Sequence, residues 1–475
     1  MFRSIAASIP TDSDYPARTR RLDLLTRVLT GRFYDGLAYS FGEEKTPAGE
    51  YIPIRDRRPA IRYNLARIVV GDSVALLFSE GHFPVVDCPD LATRDALTAL
   101  VKDTRLNAVM IEAALAGSVG SVVLWLRVLK NRLYVQALPS LYLTPTFDPE
   151  APDRLIRVRE QYKVRGADLR ARGYAIADID VGTAFWFARE WDTEAETWFL
   201  PWPVRDQVSE PQIDPERTVT HRLGFVPMVW VRNLPGGDEI DGACTFEAAI
   251  DSQIEIDYQL SQAGRGLKYS SDPTLLIKEP AMGNSTSLVK GGGNAIVVDK
   301  DGDARMLEIG GTAAAAVLDY CRALREMALE TVGGNRANAD KISAAQSGRA
   351  MELMNQSLIW LADKLRISYG EGALRDLLVM MVRIGRRLPL VLRDGSPVGA
   401  LSAAPLSLKW PRWYAPTAQD RQADATTLKT HAEAGHISQE TALKAIAADY
   451  DIEDIPAELA RIQADNDGPR AVPPQ

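Results

Sequence analysis

Apolar positions along this chain follow two periods, and the balance between them shifts partway along. Residues 19–35 (TRRLDLLTRVLTGRFYD) read as a short amphipathic helix, and ARIVVGDSVALLFSEG reads as a second. From Leu91 to Leu115, the spacing of Leu97, Leu100, Val101, Leu106 and Val109 predicts one helix near the 3.6 period. GSVGSVVLWLRVLKNRLYVQALP then turns strand-like. Its runs SVVLWLRVL and RLYVQALP are joined by a turn at Lys130-Asn131. Residues 155–232, rich in Trp, Tyr and Val, predict further strands, so the first half is α+β.

The second half is organised differently. Residues 245–267 predict a helix with Phe246, Ile250, Ile254 and Tyr258 four apart. Residues 269–311 hold strands and glycines (TLLIKEP, KGGGNAIVVDK, ARMLEIGG) and no helical period. Residues 312–332 predict a second helix with a stripe of Ala313, Ala316, Val317, Tyr320, Leu324 and Met327, stopped by Gly333 and Gly334. The polar loop NRANADKISAAQ follows. After it, SGRAMELMNQSLIWLADKLRISYGEGALRDLLVMMVRIGRRL predicts one helix of about 40 residues, roughly 60 Å long, with Gly370 and Gly372 as places to bend. A proline-punctuated stretch leads to two or three helices over residues 417–465 and a loose tail, GPRAVPPQ. A small β-module is therefore carried between two helices of similar length, which would run antiparallel and hold it at their far end.

Composition narrows the classes. A chain of 475 residues exceeds a single core, and 46% apolar residues exclude disorder. A net charge of −8 argues against a general nucleic-acid coat, without excluding DNA that passes through unheld. Cys88, Cys244 and Cys321 are scattered and odd in number, the usage of a reducing compartment. MFRSIAASIPTDSDYP has no apolar run of signal-peptide length, and no stretch approaches the roughly 18 residues of a membrane span. Residues 417–467 hold eleven acids and four bases, which is nearly the whole excess of negative charge.

Sites for chemistry are sparse. VVDKDGDARMLEI places Asp299, Asp301 and Asp303 close together. Counted as a calcium loop from Asp299, however, its sixth position is Ala304 and its twelfth Gly310, where glycine and glutamate are required. Asp301-Gly302 between apolar runs predicts a hairpin turn instead. KGGGN lacks the phosphate-loop pattern, and His82, His221, His431 and His436 show no metal spacing; His431 and His436, five apart around Gly435, do not share a helix face. No cofactor and no catalytic constellation is expected. A hydrolase built on dispersed acids around Asp299–Asp303 is the enzymatic rival. Glu247, Asp251 and Glu255 recur every four residues, a spacing at which like charges repel. They are expected to meet bases of a neighbouring subunit, to line a polar passage, or to face water. The loop at 333–349 is basic, with Arg336, Lys341 and Arg349 against Asp340.

The order of these parts resembles the portal proteins of tailed bacteriophages, in particular those with a helix–clip–helix unit in the C-terminal half. YNLARIVVGDSVALLFSEG and ALAGSVGSVVLWLRVLKNRLYVQALPSLYLTPTFDP look like the wing. HRLGFVPMVWVRNLP with FEAAIDSQIEIDYQLSQAGRGLKYSSDPTLLI looks like the approach to stem and clip. VGGNRANADKISAAQSGRAMELMNQSLIWLADKLR looks like the tunnel loop and the long helix behind it. The stretch from WYAPTAQDRQ through AGHISQETALKAI to DIEDIPAELARI looks like the crown. The likeness covers most of the chain from about residue 50 and is weakest over 155–220.

The resemblance implies an α+β wing (1–244), an antiparallel helical stem (245–268 and 312–332) carrying a small β-containing clip (269–311), a tunnel loop (333–346), a long helix (347–388), linker strands (389–416) and a helical crown with its tail (417–475). It implies a homo-oligomeric ring, usually of twelve, at one capsid vertex in the virion, made in the host bacterial cytoplasm. DNA would be packaged and ejected through its channel. Implied partners are double-stranded DNA without sequence specificity, the terminase large subunit, the head–tail connector or adaptor, the major capsid protein and scaffold, and no membrane. The tunnel loop's Asn335, Arg336, Asn338 and Lys341 would touch the phosphate backbone. Glu247, Asp251, Glu255, Arg265 and Lys268 would belong to stem and channel, and Lys278, Lys290, Asp299, Asp301, Asp303 and Arg305 to the clip's partner-binding surface. The alternative is a non-viral oligomeric helical scaffold or adaptor protein.

Overall fold

The structure is a computed structural model, and it describes residues 1–206, 208, 210–271, 274–280, 298–307, 312–335, 348–414, 417–450, 452 and 454–467. It is α+β and divides into two compact units, one of residues 1–336 and 356–411, the other of residues 337–355 and 412–475.

The larger unit is built on two antiparallel sheets and a helical layer. Strands Met228–Arg232, Ser121–Leu129 and Arg132–Pro139 form the first sheet. The hairpin turn is at Lys130-Asn131, as the sequence predicts. Both residues take positive φ (49° and 62°), and Leu129 pairs with Arg132, the geometry that matches strand twist. The second sheet runs through Leu143–Phe147, Leu155–Arg165, Ala184–Trp191, Ala195–Trp198 and Val219–Thr220, with Trp202–Pro203 beside Ala184–Trp191. The sheets share a core in which Trp125 meets Trp191 edge-on at 5.3 Å among Val123, Leu143, Val158 and Met228. The guanidinium of Arg189 lies 4.5 Å from the Trp191 ring and 5.0 Å from that of Trp125, and pairs with Glu160.

Helix Leu106–Gly117 packs on the first sheet, Leu65–Phe78 packs against that helix, and Gln356–Leu365 packs against Leu65–Phe78. The single helix expected over 91–115 is two, Leu91–Asp103 and Leu106–Gly117, because Arg105 between them adopts the left-handed conformation (φ 52°). The expected 40-residue helix is also interrupted. Gly348–Met354 ends at Asn355, Gln356–Leu365 follows, and Arg366–Leu374 is π-helical before Arg375–Gly385 resumes the α form. Packing explains the π segment. Tyr369 is fully buried, its hydroxyl donates to Asn233 Oδ1 (3.1 Å), and a Cβ on Gly370 would stand 2.3 Å from the Trp410 ring. The glycines expected as bends fall inside this bulge.

Helices Ile250–Ser271 and Thr312–Val332 pack against each other. Between them, Thr274–Pro280 and Val298–Leu307 pair antiparallel from Thr274↔Leu307, so the helix ends Ser271 and Thr312 emerge together and the helices form an antiparallel pair. The hairpin expected at Asp301-Gly302 is not there. The partner of this strand is 274–280. After Lys278↔Asp303 the pairing slips to Pro280↔Val298, leaving four residues, 299–302, opposite one. Asp-Gly thus sits in a bulge, another place that favours residues tolerant of unusual φ. The stripe expected on Thr312–Val332 does not face the chain's own core: Cys321, Ala328 and Leu329 are buried, while Tyr320 and Met327 are exposed.

In the second unit, helices Ala418–Glu433, Gln439–Ile446 and Ile455–Asp467 carry well-formed starts. Thr417 and Asp420 make a reciprocal capping box, and Ser438 Oγ accepts the Thr441 N–H. Among the described apolar side chains of this unit only Leu443 is buried.

Candidate functional site

Helix Ile250–Ser271 is the element on which most of the expected functional residues can be placed. Its apolar stripe is as predicted: Phe246, Ile250, Ile254 and Tyr258 are buried. Beside it runs a polar row that the sequence reading passed over. Gln253, Asp257 and Ser261, four apart, each accept one backbone N–H from residues 61–66, the approach to helix Leu65–Phe78 and its first turn. Gln253 Oε1 takes Ala66 N–H at 2.9 Å, Asp257 Oδ1 takes Tyr63 N–H at 2.5 Å, and Ser261 Oγ takes Ile61 N–H at 2.9 Å. Tyr258 Oη donates to the Arg57 carbonyl at 2.9 Å. One helix face therefore holds the backbone of residues 61–66, and within it Gln253 satisfies the buried N–H of Ala66.

Asp257 is the centre of this row. It is fully buried and also accepts the Tyr34 hydroxyl at 2.8 Å. Burial pushes its carboxyl up to about 7, against the opposing effect of its two donors. The signal available in the sequence was the Gln-x3-Asp-x3-Ser spacing, masked by the more conspicuous row of Glu247, Asp251 and Glu255.

Those three acids find partners within the chain. Glu247 pairs with Arg21 at 2.7 Å. Asp251 accepts the Phe2 N–H at 2.6 Å, which with its other partners holds the carboxyl below its usual range. Glu255 accepts from Gln259 at 2.8 Å. It also lies near Cys321 of the antiparallel helix, whose thiol is pushed up by burial first and by Glu255 second. Arg265 pairs with Glu44, and Lys268 is exposed. Residues before 45 thus contact this helix and its approach, from Glu247 and Asp251 as far as Arg265.

The other candidates divide. Asn335 is half-buried and hydrogen-bonds Asp72, whose carboxyl burial nonetheless raises. Arg336, Asn338, Lys341 and Lys290 lie outside the described residues. Lys278, Asp299, Asp301, Asp303 and Arg305 are on the two paired strands, with Lys278 opposite Asp303 and Leu276 opposite Arg305. The structure brings together one pair that spacing kept apart. Gly435 (φ 73°) turns the chain so that the His431 and His436 rings stand 5.7 Å apart, their Nδ1 atoms 3.5 Å apart. Among the described residues no group of three or more side chains is arranged to hold a metal, and no helix is long and apolar enough to cross a membrane.

No family model matches the chain, and no curated protein matches it. Among solved structures it is similar to a chain of the virion of a native gene transfer agent particle, 11% identical over 94% of this chain and 97% of that one, with a TM-score of 0.42. It is also similar to a chain of the neck of a native gene transfer agent particle computed with C12 symmetry, 11% identical over 82% of this chain and 95% of that one, with a TM-score of 0.40.

Proposed function

We propose that this chain is a portal-type subunit of a phage-like particle. It assembles into a ring at one capsid vertex, gives DNA a channel for packaging and ejection, and docks the packaging motor and then the head–tail connector. The observation that carries the reading is the antiparallel helix pair Ile250–Ser271 and Thr312–Val332 with a two-stranded unit at its end, rooted in an α+β body by the Gln253–Asp257–Ser261 row. A two-stranded sheet is marginal alone and is suited to completion by strand addition from a neighbour or partner. In this reading the chain catalyses nothing, and ATP hydrolysis belongs to a separate motor subunit. The basic loop at Arg336 and Lys341 supplies weak, sequence-independent phosphate contacts, and the acidic 417–467 segment keeps DNA from adhering.

Mass photometry with negative-stain imaging of the purified chain tests this. The expected result is a ring of about twelve copies of 52.2 kDa with a central hole. A compact dimer that forms no ring at any concentration, even with scaffold present, rejects the proposal and favours an adaptor.

A further inference from the structure

The larger unit carries two apolar features that reach its surface. One is a groove of about 670 Å³ between helices Ala17–Leu29, Leu65–Phe78 and Leu106–Gly117, lined by Leu22, Leu29, Val74, Ala75, Ile111 and Leu115. Two charged side chains stand on its lining, Arg67 and Glu112, both exposed. The other is a ridge. Trp360 and Ile367 are 60% and 67% exposed on the outer side of helix Gln356–Leu365 and its π continuation, while Leu358, Ile359, Leu361 and Ala362 of the same helix are buried. Trp360 and Ile367 are seven residues apart, about two turns, so they stand one above the other. Asp363 and Lys364, both exposed, follow Trp360 by one turn. An acid and a base flank the ridge, as a base and an acid flank the groove.

Helix Leu65–Phe78 separates the two surfaces. Arg67, Gly71, Val74 and Ala75 face the groove. Val69 meets Gly334, and the adjacent Gly333 lies against Ser357 of the ridge-bearing helix. At ~100° per residue, Val69 is about 180° around the helix from the centre of the groove face. The ridge-bearing helix and the groove therefore lie on opposite faces of helix Leu65–Phe78, so the ridge of one chain is not placed to fill its own groove. Between copies, such a pair joins head to tail, the arrangement that closes into rings.

We propose that the Trp360–Ile367 ridge of one copy seats in the Leu29–Val74–Leu115 groove of the next, with Asp363 against Arg67 and Lys364 against Glu112. This rests on the reading of the chain as a ring subunit, and it names the surfaces that build the ring. A tryptophan in an apolar groove flanked by complementary charge is the kind of anchor that dominates an interface.

The test uses two full-length variants, a ridge variant Trp360→Ser and a groove variant Leu115→Arg, both at exposed positions, with thermal unfolding confirming that each folds. Each alone is expected to need at least tenfold more protein than the wild type to assemble. An equimolar mixture is expected to stop at dimers, since one intact ridge and one intact groove remain per pair. Asp363→Arg combined with Arg67→Asp is expected to recover assembly that either change alone weakens. Variants that form rings at the wild-type concentration overturn the inference while leaving the ring reading in place, as does a mixture that stays monomeric beside an assembling wild type. A wild type that never assembles overturns both.

Discussion

Helices Ile250–Ser271 and Thr312–Val332 are 22 and 21 residues long and lie side by side, yet they do opposite work. The first buries apolar residues and a row of polar ones against its own chain. Among described side chains of the second, Cys321, Ala328 and Leu329 are buried while Leu318, Tyr320 and Met327 face outward. The first is an anchor, and its sequence is constrained by what lies beneath it. The second is held mainly by the first and offers an apolar surface to a neighbour, which in the proposed ring is the next subunit.

The largest break in this comparison is Ile254→Ala on the anchor. It removes a fully buried side chain and is expected to cost about 2–5 kcal/mol of unfolding free energy, measured by denaturant titration. A loss below about 0.5 kcal/mol would contradict the anchor role.

Asp257 sharpens the contrast through pH. Its folded-state pKa of about 7 lies above the ordinary carboxyl value, so between about pH 4 and 7 the folded chain holds a proton that the unfolded chain has released. Stability is therefore fully supported below about pH 4, falls by at most roughly 1.4 kcal/mol per unit as pH rises toward 7, and then levels. In Asp257→Asn the amide still accepts from Tyr63 N–H and can donate to Tyr34, and this component of the slope should vanish. An unchanged slope in that variant would assign the titration elsewhere.

Gln253→Leu is next. It leaves the buried Ala66 N–H without its acceptor and is expected to cost about 1–3 kcal/mol, seen also as faster amide exchange at Ala66. The smallest effect on the folded monomer is expected on the second helix. Tyr320→Ser and Met327→Ser, both exposed, should stay within about ±0.5 kcal/mol in thermal or denaturant unfolding and should weaken assembly instead. A large loss of monomer stability there would erase the distinction between the two helices.

Local signals in the sequence were reliable where one short-range requirement decides the backbone. Lys130-Asn131 formed the expected two-residue turn, because only residues tolerant of positive φ join two strands so tightly. The stripe from Phe246 to Tyr258 was legible because a helix face against a core must be apolar every third or fourth residue. On Thr312–Val332 small and apolar residues surround the helix, and periodicity does not tell an inward face from one reserved for a neighbour.

Asp301-Gly302 marked an irregularity correctly but not its kind, since a hairpin and a bulge ask the same of those residues and only the partner strand, 274–280, distinguishes them. The π segment at Arg366–Leu374 depends on Tyr369 reaching Asn233, 136 residues away, and on the Trp410 ring over Gly370. The Gln253–Asp257–Ser261 row was written in the sequence as a spacing, but its meaning lay in backbone donors nearly 200 residues earlier. By itself the sequence determined the α+β class, the turn at Lys130-Asn131 and the apolar stripe of the first paired helix, all of which rest on local sterics and periodicity. Only the tertiary structure decided which acids have partners, which helix is the anchor and where the apolar surfaces remain open, because burial is a property of what the rest of the chain brings alongside.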